Sequence, residues 1–211
     1  ASARGDFESA LKHLEQARAQ ESKNPGLLFH VGYILTNLGR LDDAERALSQ
    51  GLEIDELHPT CLMGLCRNHF ERGRFGEAIE IGRRAVGLKF QFPVAHFYLG
   101  RAYRASGDTE NATRCLETAI SQNPNFEEAY RELAAIHADD LKDLEHASTF
   151  ESAANELARE NVAFEVATET LEFPAVDAAS LEEHLPDLPD ANQNTDCLLY
   201  TSDAADDGLW V

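Results

Sequence analysis

Basic residues are missing from the last quarter of this 211-residue chain: no lysine or arginine follows Arg159, while acidic residues continue to Asp207. The net charge of −20 is therefore uneven, and residues 1–159, which hold all 18 basic residues, stand at only −7. Such acidity excludes a nucleic-acid interface, which needs clustered lysine and arginine. No apolar run is long enough to span a bilayer, so no membrane contact is expected. There are 4 cysteines. Cys61 and Cys66 fall five apart on one expected helix, point to different sides and cannot bridge each other. The expectation is no disulfide, a reducing compartment and, by preference, a cytoplasmic location. Phosphate loops, nucleophile motifs and acid pairs at catalytic spacing are also missing. No enzymatic activity, cofactor or metal is expected of this stretch.

What is present is a period. Gly5/Ala10, Gly39/Ala44, Gly73/Ala78 and Gly107/Ala112 repeat one glycine-to-alanine step every 34 residues. Small residues follow at Ala17, Gly51, Ala85 and Ala119, with Leu14, Leu48 and Leu116 between. Apolar residues at helical spacing flank each glycine, as Leu28, Val31 and Leu35 precede Gly39 and Leu41, Ala44, Leu48 and Leu52 follow it. Each glycine then sits in a turn between two helices. Small residues at Gly32, Cys66, Gly100 and Ala134 let those helices approach closely. Such a period marks stacked helix pairs rather than one closed core.

The phase Leu28-x-x-Val31-Gly32-x-x-Leu35 … Ala44 … Leu48 … Gly51 returns as Leu62-x-x-Leu65-Cys66-x-x-His69 … Ala78 … Ala85. It returns again as His96-x-x-Leu99-Gly100-x-x-Tyr103 … Ala112 … Leu116 … Ala119 … Pro124. This pattern resembles the tetratricopeptide repeat. The resemblance implies an all-α solenoid of antiparallel helix pairs wound into a right-handed superhelix. Full units are expected over 25–58, 59–92 and 93–126. A fourth unit with a closing helix is expected over 127–164, its second helix displaced by about one residue to Ala147 because Asp139-Asp140-Leu141 lengthens the turn. Gly82 departs from the pattern by replacing a large residue.

Residues 1–20 match only the second helix of a unit, so the chain reads as a fragment of a longer protein. That helix is expected to expose Phe7, Ala10, Leu11 and Leu14, and a dimer through it would be an effect of truncation. Residues 165–196, acidic and interrupted by Pro174, Pro186 and Pro189, read as a linker in which Ser180 to Glu183 could cap a short helix. Residues 197–211 look like a reading frame through a transposase-type sequencing adaptor, which removes Tyr200 and Trp210 from functional argument.

Four metal-capable side chains fall within twelve residues at His58, Cys61, Cys66 and His69. The repeat phase puts Cys66 and His69 in packing positions, so the four cannot converge on a tetrahedral ion without unwinding the helix. His96 and His137 stand where the family carries aromatics, and packed, satisfied imidazoles are expected. Asp42-Asp43 and Asp139-Asp140 fall where carboxylates cap backbone amides.

In the family, first helices line a concave groove. Carrying that phase over implies a groove of Phe29, Tyr33, Thr36 and Asn37, then Met63, Arg67 and Phe70, then Phe97, Arg101 and Arg104, then Arg131. Arginine forks grip carboxylates and aromatics anchor ligands. The expected partner is a protein or peptide, with an acidic segment favoured. The opposing expectation is that these arginines pair with Glu71, Glu128 and Glu132. The chaperone-tail clamp is not met, because Phe29 and Tyr33 stand at its positions. The chain's own tail, Glu165 to Asp190, is an alternative occupant. A different reading makes the array the regulatory arm of a larger enzyme: Ala85 to Gly100 resembles segments of bacterial repeat proteins fused to alkaline-phosphatase-superfamily or sulfotransferase domains.

Overall fold

Pro25, Pro59 and Pro93, themselves one period apart, stand in the first turn of three helices, where a missing N–H costs nothing and a fixed φ favours the helix. In the computed structural model these helices are α2 (Pro25–Asn37), α4 (Pro59–Glu71) and α6 (Pro93–Ala105). Each pairs with its successor: α3 (Leu41–Ile54), α5 (Phe75–Leu88) and α7 (Thr109–Gln122). Before them lies α1 (Ser2–Gln20). After them come α8 (Glu127–Ala135), a π-helical turn (Ile136–Asp140) and α9 (Leu144–Glu169). The structure describes residues 2–20 and 23–169, with side chains over 6–18 and 23–160. The described residues contain helices and no strands. The expected cap at Ser180 and the tail contact lie outside them.

The turn glycines adopt φ of +75° at Gly39, +72° at Gly73 and +85° at Gly107, a region that costs other residues strain. Each lets the next amide reach back into the helix: Arg40 N to Leu35 O at 2.9 Å, Arg74 N to His69 O at 2.9 Å and Asp108 N to Tyr103 O at 3.0 Å. The fourth unit has Leu141 at this place. Its helix inserts one residue as a π turn, closed by Leu141 N donating to Ile136 O at 3.1 Å, and Lys142 takes the left-handed conformation instead, at φ 59°. Ala147 is accordingly buried, one residue later than strict periodicity would place it.

Packing follows the small residues. A Cβ on Gly32 would stand 2.5 Å from Leu48 Cγ, and one on Gly100 would stand 2.9 Å from Leu116 Cγ. These two pairs therefore put a leucine against bare backbone. The pair between them reverses sizes. Cys66 replaces the glycine, Gly82 replaces the leucine, and Cys66 Sγ with Leu99 fills the space over Gly82. Volume is conserved across the pair rather than at each position, which is what a close-packed interior demands. The departure at Gly82 thus has its compensation in the facing helix.

The expected exposure of the α1 face is corrected. Leu11 is buried, and Phe7, Ala10 and Leu14 pack with it against Val31, Ile34, Leu35, Ala44 and Ala47. α2 offers α1 an apolar face, and α1 packs against it. Asp42-Asp43 and Asp139-Asp140 do not cap helices through their side chains. Asp42 and Asp43 pair with Arg72 and Arg40, and Asp139 and Asp140 pair with Arg104.

Candidate functional site

Helices α2, α4 and α6 stand side by side, and the residues they turn to a common side form a groove of about 460 Å³. Phe29, Tyr33, Met63, Arg67, Phe97 and Arg101 line it, all named by the repeat phase. Thr36 reaches it too, although its hydroxyl donates to Gly32 O at 2.9 Å within α2. The period missed Val94, Tyr98 and Phe126. Tyr98 comes one position after an expected contact, and a ring this long reaches across the helix face. Gly64 also lies in the wall: a Cβ there would meet Leu48 Cδ2 at 2.7 Å, so glycine lets the buried Leu48 pack directly behind it.

The remaining expected residues lie apart from this hollow. Phe70 packs beneath the guanidinium of Arg101, 4.3 Å from the ring centroid. Arg104 and Arg131 line a neighbouring hollow with Glu128 and Glu132. Asn37 meets the groove through Arg67, whose Nη2 donates to Asn37 Oδ1 at 2.7 Å.

The four arginines have unlike surroundings. Arg101 donates to Glu132 at 3.1 Å and lies 4.0 Å from Glu71. Arg104 reaches Glu132 at 3.1 Å, Asp139 at 3.2 Å and Asp140 at 3.1 Å. Arg131 pairs with Glu127 one turn away, at 2.8 Å. Arg67 alone of the four has no carboxylate partner among the described residues. It lies instead over two rings, 5.0 Å from the centroid of Tyr33 and 5.5 Å from that of Tyr98, and its Nε is buried without a hydrogen-bond partner. Burial pushes the Tyr98 phenol up against the pull of Arg67 and Arg101, so the ring stays neutral and presents its face to the cation.

The four metal-capable residues of the α4 segment face different neighbours. His58 Nδ1 meets Thr60 Oγ1 at 3.0 Å, Cys61 Sγ donates to Pro25 O at 3.4 Å, Cys66 packs over Gly82, and His69 approaches Glu77 at 3.5 Å. Cys61, Cys66 and Cys115 are free thiols, pushed up by burial to about 11, 12 and 11, and are therefore poor nucleophiles. His96 is satisfied as expected, with Nε2 3.0 Å from Phe90 O. His137 corrects the same expectation: its Nδ1 is buried without a hydrogen bond.

Comparison with known proteins agrees with this architecture. Two tetratricopeptide-repeat family models match residues 1–60 and 37–93, and a TPR-repeat model matches 100–140. The TPR repeat-containing protein YpiA of Bacillus subtilis is 25% identical over 136 residues, covering 64% of this chain. The match takes in 32% of YpiA, so the chain spans about a third of that relative. The crystal structure of MamA superposes with a TM-score of 0.61 at 22% identity, covering 77% of this chain and 94% of that one. TTC0263, a thermophilic TPR protein of Thermus thermophilus, superposes with a TM-score of 0.68 at 18% identity, covering 79% and 90%. Among the described residues, no helix is long and apolar enough to cross a membrane. Period, helix pairing, family models and structural neighbours agree, and the chain belongs to the tetratricopeptide-repeat family.

Proposed function

We propose that this repeat array is a protein-interaction module whose α2/α4/α6 groove takes a peptide segment with an apolar anchor next to a carboxylate. The anchor sits among Phe29, Met63, Phe97 and Tyr98, and the carboxylate meets Arg67. The observation that carries this reading is the state of Arg67, a cation at the wall of an aromatic groove with no carboxylate partner among the described residues. A ligand carboxylate would supply the missing partner, and hydrogen bonds to charged groups contribute about 1.5–3 kcal/mol each. An apolar anchor buried beside it adds a comparable amount, about 1.5–3 kcal/mol. Arg101, Arg104 and Arg131 are already neutralised: Arg101 and Arg104 tie α6 to its neighbours, and Arg131 is paired within α8. Glu128 at the far end of the groove repels a second ligand anion, which gives the groove polarity.

Peptides pairing an aromatic residue with Asp or Glu should bind the full chain in a salt-sensitive manner. Their amidated counterparts should bind at least about 10-fold more weakly, the size expected when a charged hydrogen bond is lost. Equal binding of acidic and neutral peptides by fluorescence anisotropy would reject the anion preference. A chain ending at Phe164 binding more tightly than the full chain would identify the acidic tail as a competitor.

A further inference from the structure

Every repeat but the last turns on a glycine. The last turns through one inserted residue, and the insertion brings together side chains that the period alone keeps apart. His137 lies in the π-helical turn, Asp143 caps α9 and His146 lies in its first turn. Their donor atoms, one from each, all lie within 4.8 Å of one another. Asp143 Oδ2 is 2.7 Å from His146 Nδ1 and 3.7 Å from His137 Nδ1.

We propose that His137, Asp143 and His146 form a binding site for a divalent transition metal of the zinc type. Two imidazoles and a carboxylate suit zinc, and three protein ligands leave one position open to water. Zinc ligands at about 2.0–2.1 Å stand roughly 3.3 Å apart in a tetrahedron, a spacing that lies between the two distances from Asp143. Small rotations of His146 outward and His137 inward would meet it.

Three features of the surroundings support the assignment. The backbone fixes the chelate: Asp143 N donates to His137 O at 2.7 Å, tying two of the ligands together through the main chain. The carboxylate is oriented, because Asp143 Oδ1 accepts from His146 N at 3.2 Å and leaves Oδ2 for the site. His137 Nδ1 is buried without a hydrogen bond, a cost that a metal would remove. The Phe150 ring, 5.3 Å from that of His137, walls one side. His146 is exposed at the other, which provides the entry path. A bound ion would clamp the π turn to α9 and fasten the closing helix to the array.

The test uses the chelator-stripped full chain without a histidine tag. Zinc is titrated by calorimetry and cobalt by visible absorption, whose intensity distinguishes four-coordinate from hydrated ion. One ion per chain is expected, with four-coordinate cobalt absorption and a rise in melting temperature on adding zinc. H146Q and D143N should each weaken binding by at least about 10-fold, no less than outer-shell changes do. Asn retains the helix cap at 143 and position 146 is exposed, so both variants keep the fold, which circular dichroism verifies. H30Q, at an exposed histidine on α2, should change nothing. Hydrated-type cobalt spectra, or undiminished binding in H146Q and D143N, would overturn the site.

Discussion

Arg67 and Arg101 occupy the same repeat position, one period of 34 residues apart, and the same two places supply their neighbours. At the first place Arg67 meets Asn37 and Arg101 meets Glu71. At the second Arg67 meets the ring of Tyr98 and Arg101 meets the carboxylate of Glu132. Both pairs are again 34 residues apart. The scaffold is therefore identical and only the partner chemistry differs. Amide and ring leave a guanidinium available to an incoming anion, whereas two carboxylates consume it. In a repeat array the groove's specificity is written in such substitutions, since the helices that carry them are interchangeable.

The comparison breaks most severely if Arg67 itself is reversed. R67E places an anion between two rings and beside Asn37. Acidic-peptide affinity should fall about 10- to 100-fold, the range set by one charged hydrogen bond. R104E, at an arginine held by three acids outside the main groove, should act on the melting temperature instead. Equal affinity losses in both would show a diffuse field rather than a site. A milder change gives Arg67 the neighbour that Arg101 has. N37E should lower affinity about 10-fold, because an intramolecular carboxylate then competes for the fork. The converse, E71Q/E132Q, frees Arg101 and should raise affinity for a peptide with two acids about 3-fold. It also removes a partner from Arg104, so a small stability loss of about 1 kcal/mol should accompany the gain, measurable by urea unfolding.

The fold was legible because the period is a packing requirement. Gly39, Gly73 and Gly107 are the residues that a left-handed turn requires, and Leu48 and Leu116 are the residues that Gly32 and Gly100 make room for. Pro25, Pro59 and Pro93 carried the same period in plain sight. The reversal at Cys66 and Gly82 was visible only as two separate departures, since their compensation runs between helices. The groove was legible for residues whose position alone puts them there, such as Tyr33 and Arg67. It was not legible for Tyr98 and Phe126, which reach it by length, nor for the pairing of each arginine, which depends on side-chain geometry across helices. The cluster at His137 had a sequence signal in the lengthened turn. The π-helical geometry that turns an insertion into a convergence of three ligands did not show in the spacing.

The smallest expected effect separates stability from binding. His69 and His96 are buried, and burial is the leading cause that lowers both below the usual imidazole value. Glu45 and Glu77 oppose it at His69, and the Phe90 carbonyl opposes it at His96. With the folded value below the unfolded one, the unfolded chain takes up protons first as the pH falls. Stability is therefore complete well above about pH 6.5 and declines as the pH drops through the unfolded value. Asp43 and Asp108 act in a separate window, lowered chiefly by side-chain hydrogen bonds from Arg40 and from Asn111, and their contributions are lost only below the ordinary carboxylate value. Between about pH 7 and 5 the urea midpoint should fall slightly, and H69Q/H96Q should flatten that dependence. A guanidinium carries its charge throughout this range, and a peptide carboxylate stays largely ionised down to about pH 5. Affinity per folded molecule should thus stay constant while stability declines. A parallel fall in both would place a histidine, rather than Arg67, at the ligand.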